Sequence, residues 1–343
     1  MSDPLRIVIS SPLEQRYVDQ IAAVDPRIEV GYQPELLAQP RYLSDHVGVL
    51  PALSAQQEQR WFELTSMAEV SFDFDRRAPE KVNQNFPRLR WLQATSAGLG
   101  QLTDRYPIDF DRVTVTTAAG VHAQPLAEFV LAGLLYFVKG IPQLRRWQAE
   151  HRWTRYTSQN LAGQRVLVVG LGQVGRRTAS ILDHLGTEVI GAVRPGGTSD
   201  APGVSAVIGF DALAEVLPSV DAVVLACPLT AQTRHLINSE SFSVLKPGAV
   251  LVNIARGEVV DEQAMIAALR SGTLAGAVLD VASVEPLPAD SALWDLENVL
   301  ISPHSASTVS SENQLITDLF CDNLRRWLAG QPLLNVYRPD RGY

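Results

Sequence analysis

The chain has 343 residues, of which 46% are hydrophobic and 19% charged, enough for two domains with full cores and unlike a disordered or polyelectrolyte chain. A formal net charge of -8 argues against a nucleic-acid or anionic-membrane surface. Cys227 and Cys321 lie far apart without metal-ligand spacing and read as reduced thiols of a cytoplasmic protein, and no metal is expected.

Residues 6–10 form a short apolar run, the mark of a buried strand, and follow a start with no signal-peptide h-region. Residues 13–24 have helical spacing. Residues 47–50, 69–74 and 89–94 are expected strands, and 54–66 is a helix opened by a Ser N-cap. Residues 123–137 form a long apolar helix. The run 129–138 is too short to span a bilayer and reads as buried helix. Residues 147–164 are a polar, aromatic connector. From 166 onward the alternation becomes regular, with strands expected at 166–169, 188–193, 222–226, 249–254, 275–281 and 298–301. A final helix, 307–329, leads back toward the first part of the chain.

This pattern predicts an α/β protein with two Rossmann-like or flavodoxin-like domains, each built on a doubly wound parallel sheet. One domain, 119–309, is inserted in the other, which is made of 1–118 and 310–343.

The most specific local signal is Gly170-Leu171-Gly172-Gln173-Val174-Gly175, directly after the run 166–169 and directly before a helical pattern. Gly170 permits the tight turn, Gly172 lets the backbone approach a pyrophosphate, and Gly175 lets helix and strand pack closely. The free N–H groups of the helix start favour phosphate, so 119–309 is the expected dinucleotide-binding domain and 1–118 with 310–343 the substrate-binding domain.

Ligands of open α/β sheets bind at the carboxyl ends of the strands. Three successive strand ends carry reactive groups: Arg256 after 250–255, Asp280 with Glu285 five residues on, and His304 after 299–303. This set suits reduction of a 2-keto acid. A guanidinium grips the carboxylate and steadies charge on the carbonyl oxygen. His304 supplies a proton near neutral pH, and Glu285 orients the imidazole and favours its protonated form.

With these motifs, and with Cys227-Pro228-Leu229-Thr230 and Val252-Asn253-Ile254-Ala255-Arg256-Gly257, the chain resembles the D-isomer-specific 2-hydroxyacid dehydrogenases from about residue 89 onward. The resemblance implies a catalytic triad of Arg256, Glu285 and His304. It implies that backbone amides of Ser96-Ala97-Gly98 hold the substrate carboxylate, with Arg256, and that Asp280 contacts the nicotinamide carboxamide. Gln173, Val174, Cys227, Pro228, Thr233 and Ala255 join the glycines as cofactor-binding positions. Domain closure over a small 2-keto or 2-hydroxy acid, and homodimers formed through the cofactor domain, are further implications. Glu285 disfavours the formate dehydrogenases of the family, which carry Gln there. The compact form, ending soon after the last helix, disfavours long phosphoglycerate dehydrogenases and resembles glyoxylate/hydroxypyruvate reductases. Trp294 and Leu99 are candidates to lie near the substrate. The alternative is a dinucleotide-sensing, corepressor-like binding protein, which a long polar tail would favour.

An NAD-binding fold usually carries an acid at the exit of its second strand. Here that strand exits into Arg194-Pro195-Gly196-Gly197-Thr198-Ser199. Arg194, with Thr198, suits a 2′-phosphate, so NADP is the expected cofactor, with NAD as the second possibility.

Overall fold

The computed structural model describes residues 4–99, 105–197 and 200–339. The chain divides into two units, Met1–His122 with Thr308–Tyr343, and Ala123–Ser307. Residues 119–122 and 308–309, assigned from sequence to the inserted part, fall in the flanking unit. The contacts explain this: Asn335 Nδ2 donates to Ala119 O at 2.7 Å, and His122 Nε2 lies 3.1 Å from Glu312 Oε1.

In chain order the flanking unit holds β1 (Leu5–Ile9), α1 (Gln15–Ala22), β2 (Ile28–Gly31), α2 (Ala55–Met67), β3 (Val70–Phe72), α3 (Val82–Asn85), β4 (Trp91–Gln93) and β5 (Thr114–Thr116). Its parallel sheet has the order β2-β1-β3-β4-β5. α2 starts as its sequence signals, with a capping box in which Ser54 and Gln57 satisfy each other's backbone N–H. One face of the sheet buries Ile7, Ile9, Phe72 and Trp91 against α1 and the C-terminal helix Glu312–Leu328. Phe320 of that helix sits edge-on to Phe72 at 5.2 Å and 5.0 Å from Trp91. A fully buried side chain of this size contributes about 2–3 kcal/mol, which ties the chain end into this core.

Residues 47–50 are not a strand. Val49 makes only an isolated antiparallel bridge to Gln39, and Val47, Val49 and Leu50 are exposed. Alternating apolar residues here have no neighbouring strand to pair with.

The second unit contains α4 (Ala123–Val138), α5 (Ile141–Ala149), β6 (Arg165–Val169), α6 (Gln173–His184), β7 (Glu188–Val193), β8 (Ala206–Gly209), α7 (Leu213–Val216), β9 (Ala222–Leu225), α8 (Ser239–Val244), β10 (Ala249–Asn253), α9 (Glu262–Ser271), β11 (Leu274–Leu279) and β12 (Val299–Ile301). The sheet order is β12-β11-β10-β9-β6-β7-β8, and every pairing is parallel. Alternate residues of β6 serve opposite faces: Val166 and Val168 meet Val130 and Leu134 of α4 and Leu182 of α6, while Leu167 and Val169 join the core that holds Met265 and Leu269 of α9. A strand covered on both faces must be continuously apolar, as this one is from Val166 to Val169.

α4 is less buried than its composition suggests. Pro125, Ala127, Val130, Gly133 and Leu134 are buried, but Leu135 to Val138 are only half-buried. No single helix among the described residues is long and apolar enough to cross a membrane; α4 and α5 pass that test only as a pair bent by 61°. Trp147 belongs to α5, so the connector is shorter than expected, and residues 151–160 are all exposed.

Candidate active site

The carboxyl ends of β6, β9, β10, β11 and β12 lie side by side in the second unit, because neighbouring strands pair in register. Gly170 leaves β6 at φ 97°, and a Cβ there would lie 2.7 Å from the backbone of Cys227, just after β9. A Cβ on Gly175 would collide with the carbonyl of Gly170. By contrast, a Cβ on Gly172 would meet nothing within 4 Å. That open cradle stands at the N-cap of the 12-residue helix α6, where no side chain caps the first N–H groups. These residues therefore fit a pyrophosphate, with Gln173 exposed and Val174 half-buried beside it.

The other positions expected from sequence to bind cofactor differ in what they offer. The Cys227 side chain is buried in the core, and burial pushes its thiol up to about 12. Thr233 is buried, and its hydroxyl is spent locally, donating to Pro228 O at 2.6 Å and accepting from Thr230 N at 2.8 Å. Arg194 is exposed at the exit of β7. Thr198 lies outside the described residues.

Arg256 is half-buried at the turn after β10. Asn253 builds that turn: its Nδ2 donates to Arg256 O at 3.0 Å and its Oδ1 accepts from Ala255 N at 3.0 Å. Gly257 lies flush against the stretch after β11, since a Cβ there would collide with Ala282 backbone. The Arg256 turn and the segment leading to Glu285 are thus held in contact.

His304 Nδ1 lies 2.7 Å from Glu285 Oε2, and Glu285 Oε1 accepts from Ala282 N at 3.1 Å. His304 has φ 54°, and its N–H donates to Asp280 O at 2.8 Å. Asp280 is buried, and its Oδ1 accepts from Ser302 Oγ at 2.6 Å and from the N–H groups of Ser305 and Ala306 at 2.9 Å. It therefore anchors the loop that carries His304. Asn253 and Gly257 lie in the motif of residues 252–257, but their bracing of the turn and this anchoring by Asp280 were not foreseen.

The hydrogen bond that His304 donates to Glu285 raises the imidazole above its ordinary value, against partial burial. Burial works to raise the Glu285 carboxyl, but the hydrogen bonds from His304 and Ala282 N–H outweigh it and hold the group below the usual range. Each group thus favours the charged form of the other, an imidazolium–carboxylate pair. It can hold a proton at Nδ1 while Nε2 gives or takes one.

A cavity of about 460 Å³ adjoins the pair, walled by Leu287, Leu293, Trp294 and Ile301. Trp294 Nε1 donates to Pro288 O at 2.9 Å. Leu99, by contrast, is buried in the core of the flanking unit. Ser96, Ala97 and Gly98 also belong to that unit, just past β4, with Ala97 and Gly98 exposed.

Comparison with known proteins gives concordant matches. A sequence model described as D-isomer specific 2-hydroxyacid dehydrogenase, NAD binding domain, matches residues 131–306. The chain is 34% identical over 258 residues to the (S)-sulfolactate dehydrogenase of Chromohalobacter salexigens, covering 74% of this chain and 82% of that one. It is 33% identical over 256 residues to the glyoxylate reductase of Thermofilum pendens, covering 71% and 74%. Among solved structures it is similar to the D-isomer specific 2-hydroxyacid dehydrogenase from Xanthobacter autotrophicus Py2 in complex with NADPH and MES. That match has a TM-score of 0.79 and 34% identity and covers 99% of this chain and 100% of that one.

Proposed function

The chain belongs to the D-isomer-specific 2-hydroxyacid dehydrogenase family, and on that premise we propose that it reduces a small 2-keto acid of the glyoxylate or hydroxypyruvate kind to the D-2-hydroxy acid, with His304 as acid/base. The reaction class, NAD(P)-dependent interconversion of a 2-keto and a 2-hydroxy acid, is that of the family. The observation that carries the finer reading is the 2.7 Å His304–Glu285 contact, one strand end from Arg256 in a dinucleotide fold.

When bound, the reduced nicotinamide supplies a hydride to the carbonyl carbon. Arg256 grips the substrate carboxylate and stabilises the oxygen as it gains charge. His304 donates the proton from Nε2 to that oxygen, and Glu285 holds the imidazolium through Nδ1 until the proton leaves. In the oxidative direction the neutral imidazole takes the same proton back. Ser96-Ala97-Gly98 are assigned to the substrate carboxylate, and Asp280 to the nicotinamide carboxamide, on sequence resemblance alone. The corepressor-like reading draws no support from the two relatives above, which are named as a dehydrogenase and a reductase.

NADP is the proposed preference. It is supported by Arg194 at the exit of β7 and by the 34%-identical neighbour that holds NADPH. The test is a 2-keto acid panel run with both cofactors. Glyoxylate and hydroxypyruvate should be turned over, faster with NADPH. Arg194→Ala should weaken NADPH about tenfold and leave NADH nearly unchanged, the expected share of one charge-assisted contact. Equal loss with both cofactors would remove Arg194 from the 2′-phosphate site.

The protein is further proposed to be a cytoplasmic homodimer joined through the second unit. Support comes from the two buried free thiols, from the half-buried apolar end of α4 and from Trp153, 99% exposed within residues 151–160. Light scattering at micromolar concentration should give twice the 37.5 kDa chain mass. Trp153→Ser should shift the species toward one chain mass; a wild-type monomer would overturn the assignment.

A further inference from the structure

Arg176 stands one residue past Gly175, in the first turns of α6. Its Nε donates to Leu171 O at 3.0 Å, which folds the guanidinium back over the glycine loop. Leu171 in turn packs on β7: a Cβ on Gly191 would collide with the Leu171 side chain. The glycine loop therefore leans toward the second strand. On that side Arg176 Nη1 meets Asp200 Oδ1 at 3.2 Å, six residues past Arg194 in sequence. Arg176 thus bridges the two segments between which a dinucleotide fold seats its adenosine ribose.

We propose that Arg176 is a second specificity-determining cation for the 2′-phosphate of NADP, and that Asp200 is the counter-ion it gives up when that phosphate binds. The inference deepens the proposed NADP preference and rests on it. The Arg176 side chain is 43% exposed and that of Asp200 is 96% exposed, so their ion pair is weak and easily exchanged. A phosphate ester carries more charge than a carboxylate and presents more oxygens to the planar guanidinium fork. The bond to Leu171 O keeps the guanidinium in place through the exchange, which limits the entropy lost on binding. Asp200 also gives the site an acid that the run from Arg194 to Ser199 lacks. It opposes the 2′-phosphate by repulsion and by occupying Arg176.

Dissociation constants for NADPH and NADH, from quenching of protein fluorescence, test this in wild type, Arg176→Gln, Asp200→Asn and Arg194→Ala. Arg176→Gln should weaken NADPH about tenfold and NADH by less than about twofold, the scale of one partly exposed charge-assisted contact. Asp200→Asn should tighten NADPH about threefold and leave NADH unchanged, and that gain should shrink in high salt. Loss of NADPH binding with Arg176→Gln but not with Arg194→Ala would sink the Arg194 reading and leave this inference standing. The reverse pattern would overturn the inference alone. Equal loss of both cofactors with Arg176→Gln would reduce Arg176 to a brace of the loop, and weaker NADH binding with Asp200→Asn would make Asp200 a ribose ligand; either result overturns the proposal.

Discussion

Replacing His304 with alanine should lower kcat for 2-keto acid reduction by about a hundredfold or more, the usual share of a positioned general acid, while dinucleotide binding stays intact. His304 sits at φ 54°, so His304→Asn, a residue tolerant of that backbone, serves as a second variant that separates chemistry from strain. The pH profile gives the sharper test. Reduction needs the imidazolium, and the hydrogen bond to Glu285 raises the His304 value. Reduction should therefore be full at low pH and fall as pH rises through that raised value, whereas oxidation of the hydroxy acid should rise over the same range. Glu285→Gln keeps a hydrogen-bonding group but removes the charge. It should move the falling limb of reduction to lower pH, because the imidazolium loses its partner. A His304 variant of near-normal rate, or a Glu285→Gln profile that does not move, would exclude the pair from the mechanism.

Arg256→Ala should lower kcat/KM by about a hundredfold, since it removes a charge-assisted grip on the carboxylate and a cation near the developing oxyanion. The division of that loss is informative. A change confined to KM means that Arg256 binds ground and transition states equally; a fall in kcat as well means that it also stabilises the reacting oxygen. Arg256→Lys should recover little, because an ammonium does not reproduce the two-donor fork. Asn253 and Gly257 brace the turn, and the Arg256 side chain adds one bond of its own, Nη1 to Ala255 O at 2.6 Å, so a thermal melt of the variant checks that the fold is kept. A variant with unchanged KM and kcat would remove Arg256 from the site.

The sequence by itself determined the elements whose signal is local. The buried central strands β6, β9 and β10 are apolar apart from Arg165 at the start of β6 and Asn253 at the end of β10, because both of their faces are covered. Ser54 marks the start of α2 through its own capping box. The glycine loop and the reactive residues after β10, β11 and β12 could be read from strand ends alone, since in parallel sheets those ends share one edge. Tertiary structure decided the rest. β2, β5 and β8 escaped notice because each is a short strand at a sheet edge, where one side lacks a covering neighbour and apolar character is diluted. Residues 47–50 were misread for the converse reason: their apolar residues have no strand to pair with. The clasp of Asp280 on the His304 loop, the brace of Asn253 behind Arg256 and the reach of Arg176 to Asp200 also lay outside a linear reading. The Asp280 and Arg176 contacts join separate segments of chain, while the Asn253 bonds close a single turn; in all three a hydrogen bond depends on distance and direction in space, which spacing along the sequence does not encode.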